Sequence, residues 1–403
     1  MNFTKIIPFV ILLFIINPML TIVGLAAFGL SIGNKPATDK NIIFLILFGL
    51  LCCVEVSLIN TTKVPEGDLW DYVYKYQLAS RLNYFTYLLE GPDDVIDTIK
   101  EPAFYTLVWV LNRLLDGNVK LYLFTMSMLE FTLFAYALVY FGKAYGIRVY
   151  AVMTGIIVMC FLPYIFIHSL NIIRQFLANA LLLFIMIRRF FYDKREWATM
   201  AVMVLIHTTS AIFLPLLLLP AFGKPFKKSW IWFVGTLILL VSFQVVALYF
   251  LSSGSFYEDD AVGYALSRAG QGNMGEYQTT IVTLISSLIF LFYSIYVYSG
   301  KTIMVDNGLR RFFSTIIILS VFIFLMQDQG QITSRFAHYS FTFLPFLLTI
   351  FFHSKMVDKY IQFTICIMTM LFFSYFLYDN VFTFEVDMAG WVTPALLYFT
   401  SVS

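Results

Sequence analysis

The 403 residues are 60% hydrophobic, 19% aromatic and only 12% charged, with a formal net charge of +2, a balance that excludes an ordinary soluble protein of this length. So small an excess of cations gives no electrostatic reason to expect a nucleic-acid partner. The fold class expected is all-α, a polytopic integral membrane protein.

A membrane-crossing helix needs roughly 20 apolar residues. In chain order the clearest runs are 6–30, 41–60, 121–141, 149–167, 172–187, 229–251, 279–298, 312–326, 333–352 and 360–378. The first is longer than the roughly 7 to 15 residues of a signal-peptide core, so it is expected to stay as a membrane helix. Two further apolar stretches, 102–115 and 198–220, are awkward in length or flanks and read as re-entrant candidates, giving about 10 to 12 crossings plus re-entrant segments.

Lysine and arginine in short loops set the orientation. The basic linkers 143–148, 188–195, 224–228, 301–311 and 355–359 are placed in the cytoplasm. The other side then receives 61–120, 168–171, the acidic loop 252–277, the turn 328–332 and the tail from Asp379. Basic linkers on both sides of 198–220 argue that this stretch dips in and returns, with His207, Thr208, Thr209 and Ser210 at its turn. With no internal repeat, 1–403 reads as a single membrane domain with external regions at 61–120, 252–277 and 379–403.

Ionisable groups inside a membrane are costly and are functional candidates by default. Arg335 and His338, three residues apart near the outer end of 333–352, share a helix face with Tyr339 beside them. Arg174 follows His168 and Asn171 in the first turn of another helix, where unpaired N–H groups and the positive dipole end favour an anion. Either cluster by itself could be arginine snorkelling to the interface or pairing with a loop carboxylate. Two such clusters at one depth, with few acidic residues in the spans, point to an anionic ligand, and the planar fork of arginine suits phosphate. His207 is open to two readings, a satisfied structural histidine or a catalytic group at the turn.

The first external region carries Glu66, Asp68, Trp70, Asp71, Tyr72, Tyr74 and Tyr76, then Arg81, Asn83 and Tyr84, and ends at Glu101 and Pro102. Carboxylates accept sugar hydroxyls and aromatic faces stack on sugar rings, so this composition fits a carbohydrate. The competing reading is a pair of interfacial amphipathic helices with an aromatic belt, Asp93 and Asp94 capping the second. Cys52, Cys53, Cys160 and Cys366 lie in apolar runs without metal-ligand or disulfide spacing and read as core residues. No nucleotide-binding loop, HExxH or GxSxG motif is present, so ATP-driven transport is unsupported, and neither a cofactor nor a metal is called for.

The segment Asn171-Ile172-Ile173-Arg174-Gln175-Phe176-Leu177-Ala178 resembles the Arg-Gln-x-Leu-Ala signature of the EpsG family of bacterial polysaccharide polymerases, which are similar to Wzy-type O-antigen polymerases. The Asp71/Tyr72 loop, the Glu101-Pro102-x-Phe104 step, the His207 to Ser210 turn and Ser334-Arg335-Phe336 with Tyr339 resemble the family in the same order. The resemblance implies a GT-C-like polymerase fold in the bacterial inner (cytoplasmic) membrane, with its site facing the periplasm or cell exterior. It implies transfer of a glycan from undecaprenyl diphosphate to the non-reducing end of a new lipid-linked repeat unit. The expected partners are these undecaprenyl-diphosphate-linked oligosaccharides, membrane lipid, a chain-length regulator and a flippase. Arg174 and Arg335 would bind the diphosphate, and His168, Asn171, Tyr72, Tyr339, Asp68 and Arg81 complete the expected substrate-binding set. The base that takes the acceptor proton is one of His207, His338, Asp71 and Glu101. The rivals are a lipid-linked oligosaccharide flippase, which usually shows repeated helical halves, and an O-antigen ligase-type glycosyltransferase, which shares the donor chemistry.

Overall fold

A computed structural model describes residues 7–89, 101–219, 281–298, 306–325 and 330–380. The expected run at 229–251, the loop 252–277, the tail beyond 380, the linker 224–228 and the caps at Asp93 and Asp94 lie outside the described residues. The described residues are helical with no strands, and together they form a polytopic membrane protein. Six helices among them are long and apolar enough to cross a membrane, or seven if the bent pair Val149–Phe161 and Pro163–Asn171 forms one span. The six are Asp39–Asn60, Val119–Ala144, Ile173–Tyr192, Asn307–Phe324, Arg335–Ser354 and Lys359–Asp379.

This is fewer than the runs read from hydropathy, and local chemistry explains part of the difference. The apolar stretch expected as one helix over 6–30 is two, Ile7–Ile16 and Pro18–Gly29. Pro18 has no N–H to continue the first helix, and Asn17 caps the second through its side chain to the Leu20 N–H at 3.0 Å. Pro163 bends the next pair by 51°. The expected dip over 102–115 is corrected: Pro102–Leu114 is a single 13-residue helix that does not turn back. At 1.5 Å per residue it is about 20 Å long, short of the roughly 30 Å hydrocarbon thickness. It packs against Asp68–Ala79, Tyr84–Leu89 and Trp197–Ile206.

The chain divides into two units. The first comprises Met1–Arg188, Arg195–Ala211 and Pro345–Ser403. Its centre is the long contact between Asp39–Asn60 and Val119–Ala144, with Val149–Phe161 against both and Lys359–Asp379 against Val149–Phe161. Val149–Phe161 is buried at every residue, all four cysteines of the chain are buried, and the core is otherwise aromatic and aliphatic. One buried amide ties three helices together: Asn60 Nδ2 donates to Ser127 Oγ at 2.8 Å and to Ser169 Oγ at 3.0 Å. Where water is excluded, such side-chain bonds and small residues hold helices together. Gly155 is one of those small residues, because a methyl group there would collide with Thr349 and with the Leu138 side chain.

Linkers gather at the two ends of this unit. At one end Pro36 pairs with Arg148, and Lys359 Nζ donates to the Leu30 carbonyl at 2.7 Å. The basic linkers at 143–148 and 355–359 therefore share an end, as the charge pattern requires. At the other end the turn after Asn60 meets Asn171 through Lys63.

The second unit comprises Arg189–Lys194 and Ile212–Leu344. Its described helices Ile281–Tyr298 and Asn307–Leu325 pack along each other, with Gly330–Phe341 against both. The Leu217 carbonyl accepts from Arg189 Nε at 2.8 Å and from Arg311 Nη2 at 2.6 Å.

Candidate functional site

The site is built on a broken helix, a proline step and a helix start, all in the first unit. Trp197–Ile206 stops at His207, whose backbone is extended (φ −151, ψ 106), and a 3₁₀ turn, Thr208–Phe213, follows. Ser210 holds the break, its hydroxyl placed to donate to the His207 carbonyl at 2.7 Å and, more distantly, to the Met203 carbonyl at 3.2 Å, which also accepts from the His207 N–H at 3.1 Å. A 10-residue helix cannot cross the bilayer. The expected turn at His207 to Ser210 is thus where the chain breaks.

Glu101 is the N-cap of Pro102–Leu114 with proline at the first helical position, and its side chain makes no cap bond. The carboxylate instead reaches inward. Its Oε1 meets His207 Nδ1 at 2.7 Å and its Oε2 meets Arg174 Nη1 at 2.5 Å. The Thr208 N–H adds a longer bond of 3.4 Å to Oε1. Arg174, at the start of Ile173–Tyr192, also donates through Nε to the Tyr72 hydroxyl at 3.2 Å and lies 5.6 Å from the Tyr72 ring centre. Tyr72 is buried and packs edge-on against Phe104, the last residue of the Glu101-Pro102-x-Phe104 step, at 5.7 Å.

Electrostatics follows from these contacts. Burial of Glu101 opposes its ionisation, but the His207 bond and the Arg174 charge outweigh it and hold the carboxyl below its ordinary 4.5. Burial pushes the Tyr72 phenol above its ordinary range, and Arg174 only partly offsets this. The His207 Nε2 atom is buried with no hydrogen-bond partner among the described residues. With Nδ1 against a carboxylate, the assigned tautomer carries its proton on Nδ1 and a bare lone pair on Nε2.

Four residues named from sequence, Arg174, Glu101, His207 and Tyr72, therefore meet. Of the readings left open for Arg174, pairing with a carboxylate of the external region is the one found, since Glu101 pairs with it. The described spans do hold few acids, and the two away from span ends, Glu55 and Glu130, are fully buried. Asp71 lies close by but is held by Lys75 at 2.7 Å, and Lys75 Nζ reaches the Tyr105 hydroxyl at 3.5 Å. Asn171 accepts from Lys63. His168 is half-buried and packs edge-on against Tyr164 at 4.5 Å. Asp68 and Arg81 are exposed at the two ends of Asp68–Ala79.

Arg335, His338 and Tyr339 belong to the second unit. Arg335 is exposed and His338 half-buried on Gly330–Phe341. Tyr339 does not accompany them as expected: it is buried, with its ring 4.8 Å from Phe213 and 5.9 Å from Phe336.

Sequence reasoning passed over Lys63, Lys75 and the two intramembrane glutamates. A charge inside a span or one turn beyond its end was the available signal. No curated protein and no solved structure matches the chain. The sequence profile of the EpsG family matches residues 41–391. That match runs through the whole Tyr72, Glu101, Arg174 and His207 cluster, and the chain belongs to the EpsG family, a polysaccharide-polymerase type of membrane protein.

Proposed function

We propose that this protein is a glycosyltransferase that polymerises lipid-linked repeat units, moving a glycan from undecaprenyl diphosphate to the non-reducing-end hydroxyl of a second unit. The observation that carries this reading is the buried His207–Glu101–Arg174 relay, in which a base and a cation are joined by one carboxylate. In the step proposed, the acceptor hydroxyl oxygen attacks the anomeric carbon and the bond from that carbon to the diphosphate oxygen breaks. His207 Nε2 takes the hydroxyl proton, and undecaprenyl diphosphate leaves with the bonding electron pair. Glu101 orients the ring and offsets the imidazolium charge as it forms. Tyr72 and Glu101 engage two of the five guanidinium donors of Arg174, so the fork can still meet an anion, where a water-poor site strengthens its effect on the leaving group.

Among the four bases considered from sequence, this geometry favours His207, with Glu101 as its orienting partner. Asp71 is paired with Lys75. Arg335 and His338 stay candidates on residue chemistry alone, Arg335 as a second phosphate contact. A GT-C-like arrangement of 10 to 12 crossings in the bacterial inner membrane, with the site facing outward and a flippase and chain-length regulator as partners, completes the proposal.

The test is polymer length in a deletion strain carrying single variants. Loss of a polymerase leaves one repeat unit on the lipid acceptor, loss of a flippase exposes none, and loss of a ligase leaves long chains on the carrier. Arg174→Lys at normal protein level should leave only single units, because lysine keeps the charge and loses the fork. Full-length polymer from that variant would sink the proposal.

A further inference from the structure

We propose that a cavity of about 400 Å³ in the first unit is a subsite for one uncharged sugar ring of the glycan, an inference that rests on the polymerase reading above. Its walls come from three distant parts of the chain: Lys63, Glu66 and Asp68 after the first long span, Asn171 before Arg174, and Phe376 and Asn380 at the end of Lys359–Asp379. The volume lies in the range of small-molecule sites, roughly 300 to 1,000 Å³.

The lining chemistry selects the ligand. Two carboxylates offer acceptors only, while the two amides and the ammonium, each holding a protein bond, keep further donors and acceptors, so hydroxyls of a ring can be met by both kinds of group. Phe376 supplies an apolar aromatic surface for the C–H face of such a ring. Two carboxylates against one ammonium make the lining net negative, which turns away phosphate and uronate. Lys63 is 7% exposed, and its Nζ is bonded to Asn171 Oδ1. A hydrocarbon tail would offer no partner to the two carboxylates.

The place of the cavity ties it to the reaction. Asp68 and Tyr72 are four apart on Asp68–Ala79, one turn of about 5.4 Å, and Tyr72 bonds Arg174. Asn171 ends Pro163–Asn171, with Ile172 alone between it and the next helix start. A ring seated here therefore lies next to the Arg174 cluster. The first unit thus divides its labour, with the anion directed to Arg174 and the neutral ring to the acidic cavity.

The test uses the full-length protein purified in detergent, with lipid-linked repeat units as donor and, as probe, the free oligosaccharide released from the producing strain's polymer by mild acid. Asp68→Asn keeps a good helix-start residue and removes the charge. Phe376→Leu keeps apolar volume and removes the ring. Each should raise a sugar KM about tenfold with little change in kcat, the signature of lost ground-state binding to one group. A rise for the free oligosaccharide assigns the acceptor ring, and a rise for the lipid-linked donor assigns the donor ring; either upholds the subsite. Unchanged KM for both substrates in variants with wild-type thermal stability overturns it. If the wild type transfers nothing, the polymerase reading fails by itself. Direct binding of the free oligosaccharide, lost in Asp68→Asn, would then still uphold the cavity, and equal binding would overturn it.

Discussion

Both ends of the first unit carry a histidine and an arginine near a helix terminus, and they use them in opposite ways. At the end with the basic linkers, His353 Nδ1 accepts from the Arg148 backbone N–H at 3.2 Å, while the Arg148 side chain donates to the Phe352 carbonyl. Lys359 likewise donates to a carbonyl, that of Leu30. These cations sit on carbonyls at the C-terminal ends of helices, where positive charge is favoured. At the other end, His207 Nδ1 faces a carboxylate and Nε2 faces no partner among the described residues. Here Arg174 binds side chains from two other helices rather than backbone. Residue type is the same at both ends, and the partner of Nδ1 decides which ring nitrogen can act as a base.

The sharpest way to break this comparison is to remove the orienting carboxylate or the imidazole. Glu101→Gln and His207→Gln should each slow chain elongation about 10² to 10⁴-fold in vitro, the range for a lost base or its orienting partner. The double variant should be little worse than either single one, because the pair acts as a unit. Multiplicative losses would mean that the two act separately. His353→Ala should leave polymer length unchanged and lower stability by about 1 kcal/mol, the worth of one hydrogen bond, read as a thermal shift at normal activity. Single repeat units in that strain would erase the distinction between the ends.

The smallest expected effect is on stability as a function of pH. Burial lowers the Lys63 ammonium from 10.5 to about 8, with Glu66 partly offsetting it. The unfolded chain then holds more protons between these values, so stability should climb as pH rises above about 8. Near pH 10 the climb should turn over, because Tyr72 titrates above its ordinary 10 in the folded protein and its contribution is lost as pH rises. On the acid side, the depressed Glu101 carboxyl gives a contribution present above its ordinary 4.5 and lost as pH falls below it. Denaturation midpoints from about pH 3 to about pH 11 would show both limbs, and Lys63→Met should flatten the alkaline climb alone.

Much of the fold was legible from hydropathy. The apolar runs 41–60, 121–141 and 360–378 are the helices Asp39–Asn60, Val119–Ala144 and Lys359–Asp379, because length and transfer free energy alone decide whether such a run spans. The 6–30 run hid its break, although Asn17-Pro18 is a stop-and-start signal visible in the letters. Of the site, Tyr72, Glu101, Arg174 and His207 were all legible as chemistry-bearing residues in a sparsely charged chain. Their pairing was not, since Arg174 lies 73 residues from Glu101 and 102 from Tyr72, and Glu101 lies 106 from His207.

By itself, then, the sequence determined a polytopic helical protein and a short roster of ionisable residues too costly to keep in an apolar chain without a use. Only the tertiary structure decided that Arg174 meets a carboxylate, that this carboxylate also holds His207, and that Asp68, Asn171 and Phe376 share one cavity. The physical reason is that hydropathy and helix periodicity are local sums over neighbouring residues. An ion pair or a cavity wall depends instead on which distant helices the buried core brings side by side.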